Sequence, residues 1–216
     1  MKNSSKKAAV AVGRRIGNSA MLALGLFVAA PTVAGAADAK TIVTTVCSAC
    51  HGEDGNSMVP MFPKLAGLHP TYIAKQLNDY VSGKRKNDIM SPNVASLTSE
   101  DISALAEYFS KQQPAASADE LDAKLVEEGK IVYEDGNETT GAPACAGCHQ
   151  SSGKGTAVYP RLAGQQREYL LNQLKSFSTA ERSNDKNKLM SSVAERLSEQ
   201  EMKAVAEYIS SLAAKQ

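Results

Sequence analysis

The sequence predicts an all-α fold built from two copies of one helical module. Two observations carry this. The first is an internal repeat over nearly the whole chain. Cys47, Cys50 and His51 return 98 residues later as Cys145, Cys148 and His149. Pro63-Lys64-Leu65-Ala66-Gly67 returns at offset 97 as Pro160-Arg161-Leu162-Ala163-Gly164. Tyr72, Gln76, Leu77 and Tyr80 match Tyr169, Gln173, Leu174 and Phe177. Met90-Ser91, Leu97 and Ala106-Glu107-Tyr108 match residues 100 further on. Offsets that slip in loops and hold within helices are the mark of one fold made twice. The second observation is periodicity. Apolar residues recur at three- and four-residue steps, and alternating strands with hairpin signals are absent.

In chain order, residues 1–36 read as a signal peptide. Lys2, Lys6, Lys7, Arg14 and Arg15 precede the apolar run Ile16 to Ala30, and Ala34-Gly35-Ala36 offers a small-residue cleavage site. Arg14-Arg15 hints at twin-arginine export, but the general route for unfolded chains fits better with a cofactor attached after export. The first copy spans 37–114 and the second 115–216. In the first, Lys40 to Ala49 forms a short helix, and Gly52 to His69 is a loop rich in Gly and Pro. Pro70 to Ser82 is a helix, with proline suited to its first turn and Gly83 to its end. Ile73, Leu77 and Tyr80-Val81 form its inward face. Lys84 to Leu97 is a polar loop. Thr98 or Ser99 caps a helix through Lys111, with Ile102, Leu105, Ala106 and Phe109 inward. Gln112 to Ala118 reads as a linker. The stretch Asp119 to Glu138 carries eight acidic residues, with a helix from Leu121 to Tyr133 whose charges read as a solvated face. Ser198 and Glu201 form a capping box ahead of the last helix.

The leader takes five of the 24 basic residues, leaving 19 against 23 acidic and a net charge of about −4. Such a chain has no reason to seek nucleic acid. Two domains of about 90 residues, with no Trp, have a thin core each. A large flat apolar cofactor would complete it.

The chemistry lies in Cys47-Ser48-Ala49-Cys50-His51 and Cys145-Ala146-Gly147-Cys148-His149, which hold all four cysteines and two of the three histidines. C-x-x-C-H is the pattern of covalent c-type haem attachment. Each sulfur adds across a haem vinyl group, and the adjacent imidazole reaches the iron. An all-cysteine zinc site would leave both histidines unexplained, with a gap far wider than zinc ribbons use. Thioredoxin-like chemistry lacks its βαβ context. Two structural disulfides fit an oxidising compartment.

A six-coordinate haem needs a second axial ligand. Met90 and Met190 hold equivalent places, 39 residues after His51 and 41 after His149, each in a polar loop and followed by serine. Met58 and Met61 have no repeat partner, and Met202 reads as core. His69 stays open as a ligand for the first copy, although its counterpart Gln166 cannot serve the second. Thioether sulfur favours ferrous iron, so His/Met haem has a higher potential than bis-His haem. With both axial positions filled there is no place for substrate, which favours electron transfer over catalysis.

The leader, the tandem C-x-x-C-H halves, the P-x-L-A-G segments and the paired late methionines resemble the dihaem cytochrome c4 family. The resemblance implies two class I cytochrome c domains, related by a pseudo-twofold axis, each wrapped round one covalent haem. It implies two haem c groups held by Cys47, Cys50, Cys145 and Cys148, with iron ligated by His51, Met90, His149 and Met190. It implies carbonyls of Pro63 and Pro160 against the histidine Nδ1–H groups. It further implies a periplasmic carrier between a donor such as quinol–cytochrome c reductase and a terminal cytochrome c oxidase, with loose membrane-surface association. The alternative is the cytochrome subunit of a larger redox enzyme, or a dihaem peroxidase. The longer, acidic approach to the second haem motif departs from strict symmetry. Lys84-Arg85-Lys86, Arg182, Lys186 and Lys188 read as solvated loop charges or as a partner-steering ring at the haem edge.

Overall fold

The computed structural model describes residues 38–118 and 120–212, so the leader lies outside the described residues. Helices account for its regular structure, and the described residues contain only one isolated bridge, between Asn137 and Ala142. None of these helices is long and apolar enough to cross a membrane.

The chain enters through α1 (Ala39–Ile42), a π-helical turn (Val43–Cys47) and α2 (Ser48–His51). These replace the single short helix expected over Lys40 to Ala49. The widened turn coincides with hydroxyls that bond back into the backbone: Thr44 Oγ1 to Lys40 O at 3.0 Å and Thr45 Oγ1 to Thr41 O at 2.7 Å. Such bonds compete with the regular ladder and loosen it. α3 (Pro70–Val81) begins on proline and ends ahead of Gly83, whose φ of 73° suits a residue without Cβ. α5 (Ser99–Ser110) opens on a capping box between Thr98 and Asp101, and buries Ile102, Leu105, Ala106 and Phe109 as the periodicity requires. Between them lies α4 (Met90–Val94), inside the stretch expected to be loop.

The second half repeats this plan. α6 (Ala123–Glu134) is capped by Asp122, and α7 (Ala146–His149) holds the second motif. α8 (Arg167–Ser178), α9 (Leu189–Ala194) and α10 (Glu199–Ser211) match α3, α4 and α5. The Ser198–Glu201 capping box forms. Met202, Val205, Ala206 and Ile209 of α10 are buried with Val132 and Tyr133 of α6. The acidic residues of α6 face outward. The longer approach to the second motif is a separate helix packed on α10, whereas in the first half the helix runs directly into the motif.

Each half has its own apolar core, one under α3 and α5, the other under α6, α8 and α10. The described residues of the two halves nevertheless form one compact body. Gln165 ties the halves together. Its Oε1 accepts from Lys64 N–H at 2.8 Å, and its Nε2 donates to Lys64 O at 2.9 Å.

Candidate haem-binding sites

The two motifs end in buried histidines, each 5% exposed. The P-x-L-A-G segments explain how they are held. His51 Nδ1 lies 2.8 Å from Pro63 O, and His149 Nδ1 lies 2.9 Å from Pro160 O. A carbonyl oxygen only accepts, so Nδ1 carries the proton and the Nε2 lone pair is left for a metal. Burial lowers both imidazole pKa values, against the opposing pull of the proline carbonyls, and so favours the neutral, ligating form.

The rest of each P-x-L-A-G segment is anchored in the same way in both halves. The N–H groups of Leu65 and Ala66 donate to Gly55 O at 2.7 and 3.2 Å; those of Leu162 and Ala163 donate to Gly153 O at 2.8 and 3.0 Å. A Cβ on Gly55 would meet Ala66 N at 2.8 Å, so the close approach requires glycine. Gly67 N–H reaches Phe109 O, and Gly164 N–H reaches Ile209 O. The proline carbonyl is thus braced on one side by the loop after the motif and on the other by the last helix. An aromatic ring precedes each proline: Phe62 lies 6.3 Å from the His51 ring and Tyr159 lies 6.0 Å from that of His149. Sequence reasoning passed over this pair, although both rings stand at matching repeat positions.

The four cysteines are free and partly accessible. Burial pushes the Cys47 and Cys145 thiols up to about 11. Among the described residues no group of three or more His, Cys, Asp or Glu side chains could hold a metal ion. Met90 and Met190 do not sit in loops. They are the first residue of α4 and the second of α9, half-buried, with Met90 N–H bonded to Asn87 Oδ1 at 2.9 Å. His69 is engaged as the N-cap of α3, its Nδ1 accepting from Thr71 N–H at 3.3 Å.

These residues fit a covalent haem. Each half offers two thiols and one neutral imidazole with a free lone pair, and one thioether at an equivalent position. A further feature agrees. Arg161, next to the proline that holds His149, is 8% exposed, and its Nε and Nη1 find no hydrogen-bond partner among protein groups. A buried cation of this kind suits a guest that carries carboxylates.

The sequence model of the cytochrome c family matches twice, over residues 36–113 and 126–213. A cytochrome c4 of Thiocapsa roseopersicina is 42% identical over 187 residues, covering 85% of this chain and 96% of the relative. The chain belongs to the dihaem cytochrome c4 family. The crystal structure of reduced recombinant cytochrome c4 from Pseudomonas stutzeri superposes with a TM-score of 0.76 at 36% identity, over 81% of this chain and 98% of that one. A protein of Stutzerimonas stutzeri (strain A1501) described as a thiosulfate dehydrogenase electron acceptor is 37% identical over 175 residues, covering 79% of this chain and 80% of its own length. As a cytochrome c4 the chain is a dihaem electron carrier with two covalently bound haem c groups.

The basic residues expected in solvent near the haem edge divide into two sets. Lys84, Lys86, Lys186 and Lys188 are exposed. Arg85 is buried and Arg182 half-buried, both in the surface between the halves of this cytochrome c4.

Proposed function

We propose that each half binds one haem c with the residues its motif supplies. Cys47 and Cys50 form the thioethers of the first haem, and Cys145 and Cys148 those of the second. His51 and Met90 ligate one iron, His149 and Met190 the other. Bound haem supplies a one-electron ferric/ferrous couple. Pro63 and Pro160 hold the imidazoles by their Nδ1–H groups, fixing ring orientation and ligand strength. The methionine sulfurs would favour the ferrous state and leave no open place for substrate on the iron. The observation that carries this reading is the doubled His–Pro geometry, with a methionine at the same repeat position on a short helix in each half.

We further propose that the signal peptide delivers the chain to the periplasm. There it passes single electrons from quinol–cytochrome c reductase to a terminal oxidase, in solution or loosely held at the membrane surface. The domains are taken as 37–114 and 115–216. The relative described as an electron acceptor of thiosulfate dehydrogenase favours a second donor, an enzyme oxidising a sulfur anion. Rapid mixing of the oxidised dihaem protein with each donor separates the two. Reduction of both haems by the quinol-driven reductase, followed by reoxidation by the oxidase, supports the first route. Reduction only by thiosulfate with its dehydrogenase replaces it with the second. Reaction of the isolated protein with peroxide, at turnover rates, would overturn the carrier assignment.

A further inference from the structure

The surface between the halves holds a second constellation. Arg85 and Arg182 are repeat equivalents, 97 residues apart. Each follows the C-terminal end of a matched helix, α3 or α8, and turns into the junction. Arg85 Nη1 donates to Gln76 Oε1 at 2.8 Å. Its Nη2 crosses to Gln173 Oε1 at 2.9 Å and the Tyr169 hydroxyl at 3.2 Å. Arg182 mirrors it: Nη1 donates to Gln173 Oε1 at 2.7 Å, and Nη2 crosses to Gln76 Oε1 at 3.2 Å and the Tyr72 hydroxyl at 3.3 Å. The guanidinium carbons stack 4.7 Å over the Tyr80 ring and 4.4 Å over that of Phe177, again repeat equivalents.

The two cations therefore share both glutamine oxygens. Every acceptor around them is neutral. Asp79 lies in the same junction, but its carboxylate accepts from Lys75 at 2.5 Å and reaches Arg182 only through Asn184, which donates to Asp79 at 2.6 Å and accepts from Arg182 Nε at 3.1 Å. Neither arginine has an ion pair among the described residues. The local field is strongly cationic: burial would raise the Tyr169 pKa, yet Arg85 and Arg182 pull it below the ordinary phenol value. Two like charges held together on neutral acceptors, one buried and the other half-buried, are costly unless an anion joins them.

The chain's own side chains do not supply that anion, but the haems carry carboxylates. Placement agrees. The arginines lie five and eight residues before Met90 and Met190, just after helices that start seven residues beyond the prolines holding His51 and His149. We propose that Arg85 and Arg182 form one shared cationic seat for the haem carboxylates, and that through it each arginine sets the potential of both irons. A fixed cation favours the ferrous state, which carries one positive charge fewer than the ferric. Because each guanidinium contacts both halves, the effect is not confined to the arginine's own half. This rests on the proposed haem ligation.

The test is a potentiometric titration of both haems in the full dihaem protein, after haem content and methionine ligation have been verified spectroscopically. Missing haem or missing methionine ligation would indict the ligand assignment; normal ligation leaves the arginines as the sole question. Arg85→Gln and Arg182→Gln are each expected to lower both potentials, by a tenfold or greater change in the ferrous-to-ferric ratio at fixed potential, about 59 mV for one electron. Thr71→Val removes a hydrogen bond between the halves, from the Thr71 hydroxyl to Ala157 O at 2.6 Å, without touching either arginine, and is expected to leave both potentials in place. Where a glutamine variant does not accumulate with two haems, the corresponding lysine variant is read instead. A compact ammonium cannot span both carboxylates, so one potential falls while the other holds. Glutamine variants with unchanged potentials, a shift confined to the mutated half, an equal shift from Thr71→Val, or a lysine variant that moves neither haem would overturn the proposal.

Discussion

Gly129 marks the place where α6 and α10 cross, and Gly129→Ala probes how closely. A Cβ there would stand 1.9 Å from Ala204 O, 2.4 Å from Ala204 C and 2.9 Å from Tyr208 Cβ. A carbon does not normally approach a carbonyl oxygen closer than about 3.3 Å. The helices must therefore separate by roughly an ångström or more, and the obstacle is backbone, which cannot rotate aside. Tyr133, Val205 and Ile209 around the crossing are at most 4% exposed, so separation opens a packed core. Overpacking of this kind costs about 1–3 kcal/mol and at times more. Alanine returns about 1 kcal/mol through its better helix propensity. The upper end of the range applies, giving a net loss of about 2–3 kcal/mol. For a domain of this size that lowers the midpoint of thermal unfolding by roughly 10–20 °C. The loss should concentrate in the second half, because the approach to the first motif, residues 38–51, contains no glycine. The Tyr133 hydroxyl also bonds to Gln150 O at 2.7 Å, next to His149, so the second haem should report the damage first. Melts followed by far-ultraviolet circular dichroism and by haem absorbance measure both effects. Unfolding at or above the wild-type temperature would refute the packing argument.

Two further predictions concern the linker and the junction. Hydrogen bonds from the Asn56 side chain at 2.9 Å and its backbone at 3.0 Å hold the Asp54 carboxyl below its ordinary pKa, and Asn56 in turn ties down Gln113 and Ala115. A depressed carboxylate contributes stability above its unfolded pKa of about 3.9 and loses it as pH falls through the folded value. Asp54→Asn should therefore lower the urea midpoint at neutral pH while narrowing the gap to wild type at about pH 3; an equal gap at both would contradict this. Gln165→Ala removes two buried bonds between the halves, worth about 1–3 kcal/mol together. Its urea midpoint should fall for both halves, and an unchanged midpoint for the first half would show that the bonds do not couple them.

Much of this was legible in the sequence because the repeat acts as an internal control. A lone methionine says little, but Met90 and Met190 at one repeat position single themselves out. The capping residues Ser198 and Glu201, and the inward face of α5, follow from local rules that the fold obeys. What escaped was the use of polar residues as interior. Periodicity assigns the polar side of α3 to water, yet Gln76 and Asp79 are buried and Val81 is exposed, because that side faces the other half. Arg85 and Arg182 were read as loop charges for the same reason. The matching of Tyr72, Gln76 and Arg85 with Tyr169, Gln173 and Arg182 was the available signal: a repeat that keeps polar residues at one face implies a shared surface. α4 and α9, of five and six residues, are too short for periodicity to register. Their start was marked only by Asn87 and Asp185, which accept from the N–H groups of Met90 and Ser191.

The most direct test of the two-module account is the near-infrared methionine-to-iron band of the fully oxidised protein, quantified per haem by magnetic circular dichroism. Met90 and Met190 as ligands predict two equivalents of the band per chain, with loss of one in Met90→His and of the other in Met190→His. A wild-type protein with one equivalent or none would contradict the account, whatever the likeness between its halves.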